Sequence, residues 1–193
     1  AALGSSIGLV HLRDDNTIGW YCTPITNVSS FYYPLLGVDL VVFLQSRANQ
    51  IDGVNWDSFD SSDAFRTTPD GLHTLILGDD EGSTTTDLVL VYDGVVVLRE
   101  GDLVGSLGTL ADVFATKLVP NGDWYARGDD VANLDYAYKN GVLIAESGAS
   151  VLGGAETWGD ILTLVNGNRL GDYIVAGNTS EPDTNYDNVL VMN

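Results

Sequence analysis

The chain has 193 residues, with 27 acidic against 8 basic side chains and a formal charge of −19. That length suffices for one well-buried domain or two small ones. The charge excludes nucleic acid as a partner, because phosphate binding needs Lys and Arg to displace counterions, and it disfavours anionic membranes. Apolar residues make up 45% of the chain, so it is globular, yet its apolar runs last four to six residues before Gly, Asp or Asn interrupts them. None approaches the roughly 18 residues of a spanning helix, and no membrane insertion is expected.

The chain opens on Ala1-Ala2-Leu3, which fits a mature chain whose signal peptide was removed at a small-residue site. An extracellular or cell-surface location is therefore expected. Asn27-Val28-Ser29 and Asn178-Thr179-Ser180 are glycosylation sequons, relevant in a host that uses them.

The first strand signals follow Ser6. Trp20-Tyr21-Cys22 and Asp39-Leu40-Val41-Val42-Phe43-Leu44 belong to this opening region. Next comes Pro69-Asp70-Gly71, then Leu72–Leu77 and Gly78-Asp79-Asp80; a strand Asp87–Tyr92 runs into Asp93-Gly94. The same order recurs about 47 to 51 residues on. Pro120-Asn121-Gly122 precedes Asp123–Arg127 and Gly128-Asp129-Asp130, and Leu134–Lys139 runs into Asn140-Gly141. It recurs again as Leu170-Gly171, Asp172–Ala176, Gly177-Asn178 and Asn188–Asn193. Asp-Gly and Asn-Gly are tight hairpin signals because both turn positions need positive φ. The runs between them are rich in Val, Ile, Leu and Tyr, which fit a pleated, buried surface. Residues 103–115 are the one helix-like stretch, weakened by nearby glycines.

Each unit therefore reads as strand, tight turn, strand, long acidic loop, strand, tight turn, strand. On these motifs the chain resembles β-propeller repeat proteins. The Gly-His and Trp-Asp dipeptides of WD40 repeats are absent from the expected places, so no subfamily is assigned. The resemblance implies an all-β fold: one domain over residues 1–193, a small propeller of about four four-stranded antiparallel blades. The blades are placed at residues 7–53, 54–101, 110–147 and 158–193. The fourth is short of one strand, and residues 1–6 form a closing or donated strand for it.

Tight turns should gather at one end of each blade and long loops at the other, where binding tends to reside. The recurring loop carboxylates Asp79, Asp80, Asp129, Asp130 and Asp183 are candidate oxygen ligands for Ca2+; the competing reading is that Asp after Gly ends strands and solvates turns. No other cofactor is expected. Cys22 aligns with Ile76, Ala126 and Val175, which reads as a buried thiol, with an intermolecular disulfide as the alternative. Trp20, Trp56 and Trp124 read as packing residues. Trp158, after a Gly-rich loop, is the best candidate for an exposed sugar-stacking platform, although a core position is the favoured reading for it as well.

His11 and His73 have no hydrolase, zincin or nucleotide motif around them, so no enzyme is expected. Two functions compete. One is an extracellular assembly protein that polymerises with itself by strand complementation, using Ala1, Ala2, Leu3, Val189, Val191 and Asn193. The other is a carbohydrate-binding, lectin-like module.

Overall fold

A computed structural model describes residues 6–12, 18–23, 30–34, 40–45, 50–59, 65–106, 108–182 and 188–193, with side chains at 50–59, 65–106, 108–159, 165–182 and 188–193. The chain is all-β and its sheets are antiparallel. It divides into two compact units, Ala1–Arg99 and Glu100–Asn193.

The first unit holds two sheets. One is a meander of β1 (Ser6–Leu12), β2 (Ile18–Thr23), β3 (Ser30–Pro34) and β4 (Leu40–Gln45), paired in chain order. Cys22 sits in β2 opposite Ile7 and Ser30; its side chain, like those of His11 and Trp20, lies outside the described residues. The second sheet comprises β5 (Gln50–Ile51), β6 (Val54–Ser58), β7 (Phe65–Thr67), β8 (Thr74–Asp80), β9 (Leu88–Tyr92) and β10 (Val95–Arg99). Its order is β10-β9-β8-β6-β5, and β7 also pairs with β8. The boundary expected after residue 53 falls inside a hairpin. Asp52 and Gly53 both take positive φ, at 51° and 81°, and join β5 to β6, with Ile51 buried in the same cluster as Trp56. Leu88, Val89, Leu90 and Val91 are all buried. That explains why β9 is a continuous apolar run rather than an alternating one: both of its faces are covered.

The second unit repeats the plan. β11 (Leu110–Leu118), β12 (Trp124–Asp130), β13 (Asp135–Lys139) and β14 (Val142–Glu146) form a four-stranded meander. β15 (Trp158–Gly167), β16 (Tyr173–Thr179) and β17 (Asn188–Met192) form a three-stranded one. The helix-like stretch at 103–115 is not a helix. Leu103 bridges to Thr109, Gly105 has φ of 48°, and β11 begins at Leu110. The glycines break the helical period, and Leu110 and Val113, three residues apart, are both buried because the register of the strand slips between Leu110 and Asp112.

The turns expected from Asp-Gly and Asn-Gly form as two-residue loops with positive φ at both positions: 50° and 81° at Asp93-Gly94, 51° and 79° at Asn140-Gly141. The side chain of the first turn residue then ties down the neighbouring strand. Thr74 donates its backbone N–H to the Asp93 carboxylate at 2.8 Å, and Trp124 donates likewise to Asn140 Oδ1 at 2.8 Å. Asn193 is the equivalent residue in the last sheet. It donates its backbone N–H to the Tyr173 carbonyl at 3.0 Å, as Asp93 does to Thr74 and Asn140 does to Trp124 at the same distance.

A second recurrence sits at the opposite end of the sheets. In three of the sheets a strand bulges as it passes a glycine of the strand it pairs with. The register slips between Trp56 and Ser58, between Leu110 and Asp112, and between Trp158 and Leu162. The glycines concerned are Gly78, Gly128 and Gly177. A Cβ on Gly78 would stand 2.6 Å from the Ser58 carbonyl oxygen, and one on Gly128 would run into the Asp112 carbonyl. The bulge brings backbone onto backbone, and glycine is the residue that permits it.

In the second unit, consecutive sheets pack face to face. Tyr125, Ala137 and Ala145 of the four-stranded sheet meet Trp158, Val165, Val175 and Val191 of the three-stranded one. Gly167 leaves room for the Tyr125 ring. Lys139 closes the turn end: its Nζ donates to the Gly171 carbonyl, lies 3.5 Å from Asp123, and sits 5.4 Å from the centre of the Tyr173 ring. Burial, then the nearby charges of Asp123, Tyr173 and Asp172, pushes the Tyr125 phenol up to about 12. Burial likewise raises Tyr136. A group whose folded pKa is raised stabilises the fold below its unfolded value and ceases to do so as pH climbs through the folded one. Stability should therefore hold to about pH 10 and fall between there and about pH 12. Urea midpoints at pH 9 and pH 11 should differ, and Tyr125→Phe should shrink the difference; equal midpoints would refute this account.

Candidate functional site

The expected loop carboxylates lie at the strand ends, and their roles separate. Asp80 closes β8 and is buried, with 2% of its surface exposed. One of its oxygens accepts the Gly82 backbone N–H at 2.8 Å, and the other accepts Arg99 Nη1 at 2.7 Å. Asp130 closes β12 in the equivalent place. Its Oδ1 accepts the backbone N–H groups of Ala132 at 2.8 Å and Leu134 at 2.9 Å. Thr179 closes β16, and its hydroxyl accepts the Glu181 N–H at 3.3 Å. At all three positions a short buried acceptor holds the start of the following loop, satisfying amides that the strand ladder cannot reach.

Asp79 and Asp129, one residue earlier, point to the other face. Asp79 accepts the Ser58 hydroxyl at 2.7 Å. Burial raises the Asp129 carboxyl, and Asp112, Asp135 and Asp130 raise it further. Among the described residues no group of three or more His, Cys, Asp or Glu side chains is arranged to hold a metal ion; Asp183 lies outside them.

The aromatic candidates resolve into packing. Trp56, Trp124 and Trp158 are buried. Trp158 takes the favoured core position and not that of a platform: the loop before it leads into β15, and the indole packs into the cluster between the two sheets of the second unit. His73 stands just before β8, and its Nδ1 lies 2.7 Å from the Asp93 carboxylate and 2.9 Å from the Tyr92 hydroxyl. This arrangement braces the Asp93 turn. Of the two sequons, Asn27 lies outside the described residues. Asn178 is inside β16, half-buried, with its side-chain amide against Gly159.

The assembly residues fall on the last strand. β17 pairs with β16 along one side, from Asn188 opposite Asn178 to Met192 opposite Ile174. Among the described residues no strand pairs with its other side. Val191 is buried and Val189 partly so, both turned towards the cluster with the preceding sheet, and Asn193 is exposed. Ala1, Ala2 and Leu3 lie outside the described residues. Sequence reasoning missed the opposite face of the same strand. Leu190 and Met192 are 58% and 71% exposed, beside half-buried Ile174 and Ala176. Strand alternation in Asn188–Met192 was the signal that could have revealed it. A groove of about 350 Å³ opens at the turn end of this sheet, lined by Asn166, Asn168, Asp172, Tyr173 and Met192 among others.

No family model matches the chain, and no curated protein or solved structure matches it either.

Proposed function

We propose that the chain is a non-enzymatic structural subunit of an extracellular assembly, a small propeller of four blades joined to its neighbours by strand complementation. The observation that carries this reading is the unequal last sheet. Among the described residues β11–β14 and β1–β4 each make four strands, whereas β15–β17 make three, and no strand pairs with the outer side of β17. Long edges of this kind are normally paired or protected. An incoming strand would extend the ladder with main-chain hydrogen bonds. Residues 1–5 form a short uncharged segment ahead of β1 and suit the role. A head-to-tail contact between identical subunits generates a filament unless its rotation closes a ring.

Deleting residues 1–5 tests this. The deletion stops short of Ser6, which pairs with Thr23 in β1. Wild-type chains should form polymers in electron micrographs, and the deleted chain should give folded, soluble monomers. A wild-type chain that stays strictly monomeric at high concentration refutes the assembly reading. It would favour the second reading, a carbohydrate-binding module, for which the groove beside Tyr173 is the supporting feature.

A further inference from the structure

Two sheets show how an outer strand is added to the strand before it, and both do it in the same way. β10 follows β9 through Asp93-Gly94, and β14 follows β13 through Asn140-Gly141. The first residue of the outer strand faces the last of its partner, Val95 opposite Tyr92 and Val142 opposite Lys139. The second keeps register, Val96 opposite Val91 and Leu143 opposite Tyr138. Then the outer strand bulges. Val97 and Ile144 are the extra residues, and pairing resumes with Leu98 opposite Leu90 and Ala145 opposite Ala137. Burial runs in step: the first residue is exposed, the second and third half-buried, the fourth buried and the fifth half-buried in both strands. Their sequences share only the opening valine. What they have in common is a pattern, apolar at positions one to four, with a bulge at the third and the fourth turned inside.

β17 carries the same kind of edge. Gly78, Gly128 and Gly177 lie opposite Val89, Tyr136 and Val189. In that alignment Met192 stands where Tyr92 and Lys139 do, Val191 where Val91 and Tyr138 do, and Leu190 where Leu90 and Ala137 do. Asn193 bonds through its N–H to the Tyr173 carbonyl, as Asp93 and Asn140 bond to their own partners. Antiparallel alternation then directs the backbone groups of Val189 and Val191 towards β16 and those of Leu190 and Met192 away from it. Among the described residues no strand meets those outward groups. The fifth position is where the sheets differ. In β10 it is Arg99, matched to the Asp80 carboxylate at 2.7 Å. In β16 the neutral Thr179 closes the strand at the place of Asp80, so the last sheet makes no demand for a cation there.

We propose that the outer edge of β17 binds an extended segment in one fixed antiparallel register. Its first residue lies opposite Met192, its second opposite Val191, its fourth opposite Leu190 and its fifth opposite Val189, with the third bulged out. Positions one to four are apolar, and the fifth tolerates either charge. The inference rests on the assembly reading and deepens it, since it gives the pattern of the strand that a neighbouring subunit lends. Main-chain bonds to Leu190 and Met192 supply affinity, and the inward fourth side chain supplies selectivity.

Two heptapeptides serve as probes, Gly-Val-Val-Val-Leu-Arg-Glu and Gly-Val-Leu-Ile-Ala-Glu-Ser, the sequences of residues 94–100 and 141–147. Each is added, with capped ends, to the dilute full-length chain, and amide hydrogen exchange is followed by NMR. The amides of Leu190 and Met192 should exchange freely without peptide and slow at least about tenfold with it, while those of Val189 and Val191, already bonded to β16, stay protected throughout. The two peptides should bind within about threefold of each other despite their opposite fifth residues. Leu98→Asp in the first peptide should weaken binding about tenfold or more, because it places a charge at the buried position. Leu190→Pro in the chain should do the same, since it removes an outward N–H that β16 does not use, and an edge strand tolerates proline there. Peptides that leave the Leu190 and Met192 amides unchanged, while the chain still polymerises, overturn the edge register and leave assembly to another surface. Protection of those amides in dilute monomers without peptide overturns the neighbour as the source of the strand. Peptide bound in the expected register by a chain that never polymerises upholds the recognition pattern and removes the assembly reading alone.

Discussion

Replacing Gly128 by alanine is expected to destabilise the second unit by about 3 kcal/mol, at the upper end of what overpacking costs. The added Cβ has no space. It would meet the Asp112 carbonyl and, at 2.5 Å, the Tyr136 hydroxyl, which itself donates to that carbonyl at 2.8 Å. Neither neighbour can retreat. The carbonyl belongs to a bulged strand held by pairs on both sides of the slip, Leu110 with Asp130 and Val113 with Gly128, and the Tyr136 ring is completely buried. Equilibrium urea unfolding of Gly128→Ala measures the effect. A loss below about 1 kcal/mol would show that the bulge can move off the glycine, and would remove the reason given for the recurrence of Gly78 and Gly177.

Trp158→Ala is expected to cost about 3–5 kcal/mol, the range for deleting a buried aromatic side chain. Its indole is 4% exposed and lies in the cluster that joins the two sheets of the second unit. The substitution also separates packing from sugar recognition. A packing residue loses stability on truncation and recovers most of it as Trp158→Phe, whereas a stacking platform would lose ligand and keep its melting temperature. Unfolding curves that superimpose on wild type would return Trp158 to the surface.

Local chemistry made much of the fold legible. The paired positive φ values at Asp93-Gly94 and Asn140-Gly141 follow from residue type alone, and the strand runs between those turns are where the residues indicated. What depends on contact across the sheet was not legible. Nothing in Gly-Asp-Asp tells that the glycine lies under a bulged carbonyl, or that the last Asp turns inward to hold a loop while the first turns away. Arg99 reaching Asp80 from β10 is a contact of this kind. The stretch at 103–115 looked helix-like because its spacing was read without the strand that pairs with it. For the candidate site, the three-stranded last sheet followed from counting strands, but the exposed Leu190 and Met192 required knowing which face the neighbouring sheet covers.

The meander order of the sheets carries a kinetic consequence. In β1–β4, β11–β14 and β15–β17 every strand pairs with its immediate neighbours in the chain. Closing such hairpins needs only short loops, so little entropy is lost before contacts form. Sheets built from distant strands fold slowly because that loss comes first. Here each sheet can form in microseconds to milliseconds from its own segment, and docking of one sheet on the next follows as a separate, later step. A chain made from its N-terminus would complete its sheets in order, with the apolar faces that join them exposed in the interval. The large negative charge, −19 over the whole chain, repels such intermediates from one another during that interval and keeps premature association in check.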